Sequence, residues 1–291
     1  MNFKLLESVD NDILDFNFNE DISIMTEILN MSKDELFEVV GIDNIDSKDN
    51  IDKLYDYCYA RNLYVNDIKW QEYREIFNNS FQKIFCHGSK GGIKGPIRLD
   101  ANGPSNDFEK GFYIGETLKQ AGMYVASDPN ACIYLMLFNP IGLKSIKFNV
   151  DTYWMLAIAY YRGLLDNYLD NPLVKSIVNR VDACDYIIAP IADNRIFQLI
   201  DAFMEGELTD KQTLYALSAI HLGMQYVLKT PKALECVTPL DRCYVCPIER
   251  SYYNKQNYLE SNTSLNKAKY AKYRYKDKGQ YVYELLGKSR I

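Results

Sequence analysis

From residue 79 onward, short alternating apolar segments are scattered among helix-patterned stretches of unequal length. Strands repeat every second residue and helices about every 3.6, so such segments declare themselves by their period. Lys83–His87, Gly111–Ile114, Ala131–Phe138, Ser145–Phe148, Tyr186–Ala189 and Met224–Leu228 read as strands. Leu118–Ala126, Tyr153–Leu165, Ile196–Met204 and Thr209–Leu222 read as helices. This is not the even alternation of a parallel βαβ domain, so the expected class is α+β. Glycine and proline punctuate 91–104, which marks a loop.

The N-terminal stretch has another texture. Ile22, Met25, Ile28 and Leu29 recur at helical spacing. Ser32-Lys33-Asp34-Glu35 is a capping box ahead of Leu36, Phe37 and Val40, and Gly41 suits the C-cap. Lys53–Asn62 is a further helical stretch. The layout looks like a repressor-type helix-turn-helix. Residues 1–60, however, carry fifteen acids and four bases, a charge of −11 that opposes docking on phosphates. A small acidic helical domain over 1–76, regulatory or partner-binding, is the expectation.

The whole chain carries −6, so the residues after 60 carry +5. Residues 250–291 hold ten bases and three acids with tyrosines interleaved. Such a tail can track a phosphate backbone and stack bases, or it can dock on its own chain's acidic segment. Tyr270, Tyr273, Tyr281 and Tyr283 offer apolar area that favours docking, which would place the tail beside the N-terminal helices.

Hydrophobic residues make up 47% of the chain and charged residues 25%, a globular balance. No apolar run approaches the roughly 18–20 residues that span a bilayer, and the N-terminus turns acidic at once. A cytoplasmic protein without membrane association is expected. The seven cysteines are odd in number and irregularly spaced, which suits reduced thiols. Cys243 and Cys246 form C-x-x-C with Cys236 upstream, but zinc wants a fourth ligand and the histidines are only His87 and His221. No metal is expected.

The chain has no P-loop, no G-x-G-x-x-G, no G-x-S-x-G and no H-E-x-x-H. Histidine chemistry must therefore use His87 or His221. His221 falls within a helical pattern beside Ile220 and Leu222, where a packed or surface role suffices. His87 closes a strand directly before Gly88-Ser89, where the backbone becomes accessible.

Four segments follow in order: His87-Gly88-Ser89, then Asp107-Phe108-Glu109-Lys110-Gly111-Phe112-Tyr113, then Asp185 to Arg195 (D-Y-I-I-A-P-I-A-D-N-R), then Gln225 to Thr230 (Q-Y-V-L-K-T). A helix bearing Trp154 lies between the second and third. Over about 79–240 this succession resembles a bacterial domain-of-unknown-function family assigned to the ADP-ribosyltransferase superfamily, of the diphtheria-toxin and poly-ADP-ribose-polymerase type, often found in toxin–antitoxin loci. The resemblance implies an α+β catalytic domain over 77–249 with a split, strongly bent antiparallel sheet pair, following the small all-helical domain and preceding the basic tail of 250–291. His87, Tyr113 and Gln225 would face one cleft as the catalytic residues.

The implied substrate is NAD+, whose nicotinamide–ribose bond breaks through an oxocarbenium-like transition state. By resemblance His87 would hydrogen-bond a ribose hydroxyl, the Gly88 backbone would meet the carboxamide and Ser89 would add a hydrogen bond. Tyr113, with Phe112 beside it, would offer an aromatic platform to the cationic ring. Gln225 stands where the family's acid stands. Asp193 and Arg195 follow a strand end, where they either orient substrate or form an ion pair capping the next helix. Three positions depart from the family's pattern: Glu109 and Ala189 replace glycines, and Gln225 carries no charge.

The reading that results is a mono-ADP-ribosyltransferase, a glycosyltransferase by class. It would act as a toxin or phage-defence effector on a protein or nucleic-acid acceptor, with an antitoxin protein among its partners. A catalytically weak NAD- or partner-binding module, or a nucleic-acid-binding regulator, are the alternatives.

Overall fold

The computed structural model describes residues 13–77, 82–100, 106–218, 223–276 and 278–287, without the side chains at 194, 195, 261–269 and 272. The end of the expected helix Thr209–Leu222, with His221, lies outside these residues, as does the side chain of Arg195. Among the described residues the chain forms twelve α-helices and seven strands, an α+β architecture with helices α1–α4 preceding the first strand. No described helix is long and apolar enough to cross a membrane. The chain divides into two compact units.

The first unit comprises Met1–Ile97, Ile114–Ile141 and Cys236–Gln256. It begins with α1 (Phe18–Leu29), α2 (Lys33–Val40), α3 (Lys48–Tyr59) and α4 (Val65–Ile76). The α2 capping box is formed: the Ser32 side chain accepts from the Glu35 amide, and the Glu35 carboxylate accepts from the Ser32 amide at 2.7 Å. Gly41 ends the helix at φ +75°. The strands β1 (Lys83–Ser89), β2 (Phe112–Gly115), β3 (Cys132–Phe138) and β7 (Val237–Tyr244) run in the order β2-β1-β3-β7. β3 is buried on both faces and pairs antiparallel with β1 and β7 along its whole length. Helix α5 (Leu118–Val125), capped by Thr117 and Gln120, packs across β1. Gly88 permits this contact, because a Cβ there would lie 2.7 Å from the Ala121 carbonyl oxygen and 2.9 Å from Val125 Cγ1.

The second unit comprises Arg98–Tyr113, Gly142–Glu235 and Asn257–Ile291. Its strands run β4 (Ser145–Lys147), β5 (Tyr186–Pro190), β6 (Met224–Leu228). β5–β6 is antiparallel but β4–β5 is parallel, which corrects the expectation of a purely antiparallel core. The physical reason lies in the connection. A parallel pair needs a long crossover, and α6 (Thr152–Tyr161) and α7 (Pro172–Asp182) supply one between β4 and β5. α6 is the centre of this unit's core, with Trp154, Met155, Ala157, Ile158 and Ala159 fully enclosed. α8 (Asn194–Met204) and α9 (Asp210–Leu217) complete the layer around it, and the four-residue α10 (Pro231–Leu234) follows β6.

The basic C-terminal segment is helical over much of its length, as α11 (Pro247–Arg274). Its start belongs to the first unit, where Tyr253 is buried against Gly122. That start meets the N-terminal helices as expected, with the Tyr252 ring 6.5 Å from Tyr59 of α3, but the end of the segment docks inside the second unit. Gln212 Nε2 donates to the Tyr275 carbonyl at 3.0 Å, Thr209 Oγ1 to the Lys278 carbonyl at 2.6 Å, and Asn171 Nδ2 to the Leu286 carbonyl at 2.9 Å. Ala271, together with Val282 and Leu286 of α12 (Val282–Leu285) and its C-cap, enters the core. Gly279 has φ +89°, and a Cβ there would sit 2.4 Å from Asp210 Oδ1, so the docking needs glycine. Tyr270 and Tyr273, expected to supply buried apolar area, are instead 63% and 84% exposed.

Candidate functional site

In the first unit, His87, Gly88 and Ser89 end β1. His87 lies opposite Tyr134 of β3, with ring centroids 6.4 Å apart. The Tyr134 hydroxyl accepts from the Ile93 amide at 2.9 Å, which ties down the loop after β1. All three residues keep partial solvent access, so the strand end is open where β1's middle is closed. The Ser89 carbonyl faces the Cys132 thiol at 3.8 Å.

In the second unit, the turn 107–113 organises the remaining candidates. The Tyr113 hydroxyl accepts from the Phe108 amide at 3.1 Å and donates to the Glu109 carbonyl at 3.0 Å. Both bonds close within the turn and fix the plane of the ring. Burial pushes the Tyr113 phenol above its ordinary value, so it stays a neutral hydroxyl. Glu109 is held at φ +55°, in the left-handed region that favours glycine. Phe112 is buried beside it.

Asp107 heads this turn and is buried, with 5% of its surface exposed. Its Oδ1 accepts from Arg162 at 2.6 Å, and its Oδ2 from the Ala192 amide at 2.8 Å and from Gln225 Nε2 at 2.7 Å. Burial pushes the Asp107 carboxyl up, while the Arg162, Ala192 and Gln225 donors pull it down. Donors alone surround it, which is the set an ionised carboxylate takes. Arg162, the C-cap of α6, also donates to the Ala192 carbonyl at 3.2 Å and lies over the Phe197 ring at 4.5 Å. Its Nε is buried without a hydrogen-bond partner among the described residues.

Gln225 sits on β6, 6% exposed, and its amide also donates to the Pro190 carbonyl at 3.2 Å. Asp193 accepts from the Ile196 amide at 3.1 Å and so caps α8. Lys229 Nζ donates to the Phe108 carbonyl at 2.8 Å, with its ammonium 5.3 Å from the Tyr161 ring; burial lowers its pKa. Tyr113 and Gln225 are thus joined through one turn of the second unit, while His87 belongs to the first. Asp107 and Arg162 are the residues sequence reasoning did not single out. An acid heading a glycine-containing turn was the available signal, but its partners lie 55 and 118 residues away.

Two further buried polar groups lie in the first unit. Lys69 is enclosed by Asp21 and Asp241, each at 2.8 Å, and the Tyr55 hydroxyl donates to Asp21. Glu249 of α11 accepts from the Tyr253 hydroxyl and from Asn66 Nδ2, both at 3.0 Å, and burial pushes its carboxyl up to about 7. Among the described residues no cluster of three or more potential metal ligands occurs. The cysteines are thiols outside any disulfide among the described residues; Cys243 is core, and Cys246 lines a small cavity beside Glu249.

A family described as protein of unknown function (DUF3990) matches residues 83–238, a span that runs from β1 to the start of β7. No curated protein and no solved structure matches the chain.

Proposed function

The chain belongs to the DUF3990 family, and from that premise we propose that it is an NAD+-dependent mono-ADP-ribosyltransferase, moving ADP-ribose to a macromolecular acceptor with release of nicotinamide. The observation that carries the reading is the turn at 107–113. Glu109 occupies left-handed backbone at the position where the resembled family has glycine. A turn of that shape anchors the Tyr113 hydroxyl and leaves its ring as a fixed platform for a cationic nicotinamide.

In this reading the acceptor's nucleophile bonds to the anomeric carbon of the ribose as the glycosidic bond to nicotinamide breaks; the electron pair leaves with the ring, so nicotinamide departs neutral, and the acceptor's proton passes to solvent. His87 holds a ribose hydroxyl and the Gly88 backbone meets the carboxamide. Gln225 accepts from a ribose hydroxyl. A neutral amide there forgoes roughly 1–2 kcal/mol of charge-assisted hydrogen bonding, which suits single transfers better than polymer growth. A toxin or defence role follows from the same resemblance.

The test is incubation with labelled NAD+ and total cell lysate, then separate nuclease and protease digestion of the product. His87→Ala should abolish labelling while leaving the thermal melt intact; Tyr113→Ala should abolish it as well but lower the melt, because that ring packs on the core and its hydroxyl closes the turn. A second reading, a module that binds NAD or a partner without turnover, is favoured by the uncharged Gln225. Nicotinamide release no faster than background selects it.

A further inference from the structure

Gln225 can present very little of itself to a ligand. Its amide nitrogen has two hydrogens, and both are used: one on Asp107 Oδ2 at 2.7 Å, one on the Pro190 carbonyl at 3.2 Å. Both partners are oxygens. Turning the amide over would set oxygen against oxygen twice, so its orientation is chemically fixed. Asp107 is in turn held by Arg162 and the Ala192 amide, and Arg162 by the Ala192 carbonyl. The order is a relay: guanidinium to carboxylate to amide. Burying an acid is unfavourable unless its partners compensate, and here Arg162, the Ala192 amide and Gln225 do so together.

We infer that Asp107 is the positioning residue for Gln225: it binds the amide hydrogens so that only the carbonyl oxygen is left for a ligand, which restricts that oxygen to a hydroxyl or other donor. The ligand, a ribose hydroxyl, rests on the transfer reaction proposed above; the geometry does not. The negative charge that the resembled family keeps at this position stands here one hydrogen bond further back. Restoring it by Gln225→Glu would set a second carboxyl against Asp107 and the Pro190 carbonyl, and the two acids would have to share a proton.

The experiment compares the wild type, Gln225→Glu, Asp107→Asn and the double variant in thermal melts between about pH 5 and pH 8, without ligand. The Gln225→Glu deficit should widen as pH rises, because a carboxyl raised by its neighbour stabilises the fold only while protonated. The double variant should keep only the weaker pH dependence that burial alone gives a carboxyl. A deficit of Gln225→Glu that is flat with pH, or one whose pH dependence is undiminished in the double variant, overturns the inference.

A turnover arm adds Gln225→Ala. With a positioning role, Asp107→Asn and Gln225→Ala each lower kcat/KM for nicotinamide release by about tenfold, and together by little more. Full multiplication of the two losses assigns Asp107 a structural role only and also overturns it. Should Asp107→Asn fail to fold, a Gln225→Glu deficit that is flat with pH still overturns the inference. A wild type that releases no nicotinamide removes the transfer reaction, and the melts still decide what Asp107 does.

Discussion

Each unit of this protein buries an ion pair, and the two pairs are built differently. In the first unit Lys69 meets two carboxylates, and Tyr55 covers one of them; Lys69 and Asp21 are each 1% exposed. Burial works against the Lys69 ammonium, yet the negative partners around it hold its pKa above the usual lysine value. In the second unit the charges are also paired, but Arg162 keeps a buried Nε without a partner and 13% exposure. Asp107 Oδ2 accepts from Gln225 as well as from the Ala192 amide. The first arrangement is closed on itself and ties α1, α4 and β7 into one fold. The second runs from Arg162 through Asp107 to Gln225, which is 6% exposed. Both clusters leave one buried polar atom without a hydrogen bond among the described residues, Asp241 Oδ2 in the first and Arg162 Nε in the second, so what separates them is that only the second includes a side-chain amide among its partners.

The largest expected effect tests the closed pair. Lys69→Met leaves Asp21 and Asp241 buried without a cation, and should destabilise the protein by roughly 3–5 kcal/mol in urea denaturation. Asp107→Asn should cost less, roughly 2–3 kcal/mol, because Arg162 retains some water, but it should reduce turnover where the other removes fold. Equal losses of stability and of activity in the two variants would erase the distinction between the pairs.

Glu249 sharpens it further. Its carboxyl titrates near 7 in the fold against an ordinary 4.5, so the folded state binds the proton more tightly than the unfolded chain. Its contribution is fully present below about pH 4.5 and is lost as pH rises towards 7. Melting temperature should decline across that window, by the equivalent of about 1–3 kcal/mol, and Glu249→Gln should flatten the decline. The smallest effect belongs to Glu109→Gly, which relieves left-handed backbone and should stabilise the protein by about 1 kcal/mol without loss of turnover.

Much of the element order was legible from period alone. β1, β2, β3, β5, β6, α5 and α8 lie within a residue or two of where alternation and helical spacing put them. The capping box at Ser32 and the C-cap at Gly41 follow from local chemistry. β7 was missed because Pro239 interrupts it. The strand tolerates that proline at the end of the strand order, beside a register shift opposite Leu135 and Met136. α11 was missed because it is polar around most of its circumference and shows little apolar period.

By itself, then, the sequence determined which segments are strands and helices, where several of them are capped, and that His87, Tyr113 and Gln225 stand in motifs of a recognisable order. Those are local properties, set by periodicity and by neighbours a few residues away. Tertiary structure alone decided that Asp107 meets Arg162 and Gln225, that Lys69 meets Asp21 and Asp241, and that the chain's end lies against α7 and α9. A polar group removed from water must take whichever partner the packing brings within reach, however distant in the chain, and no local pattern names that partner.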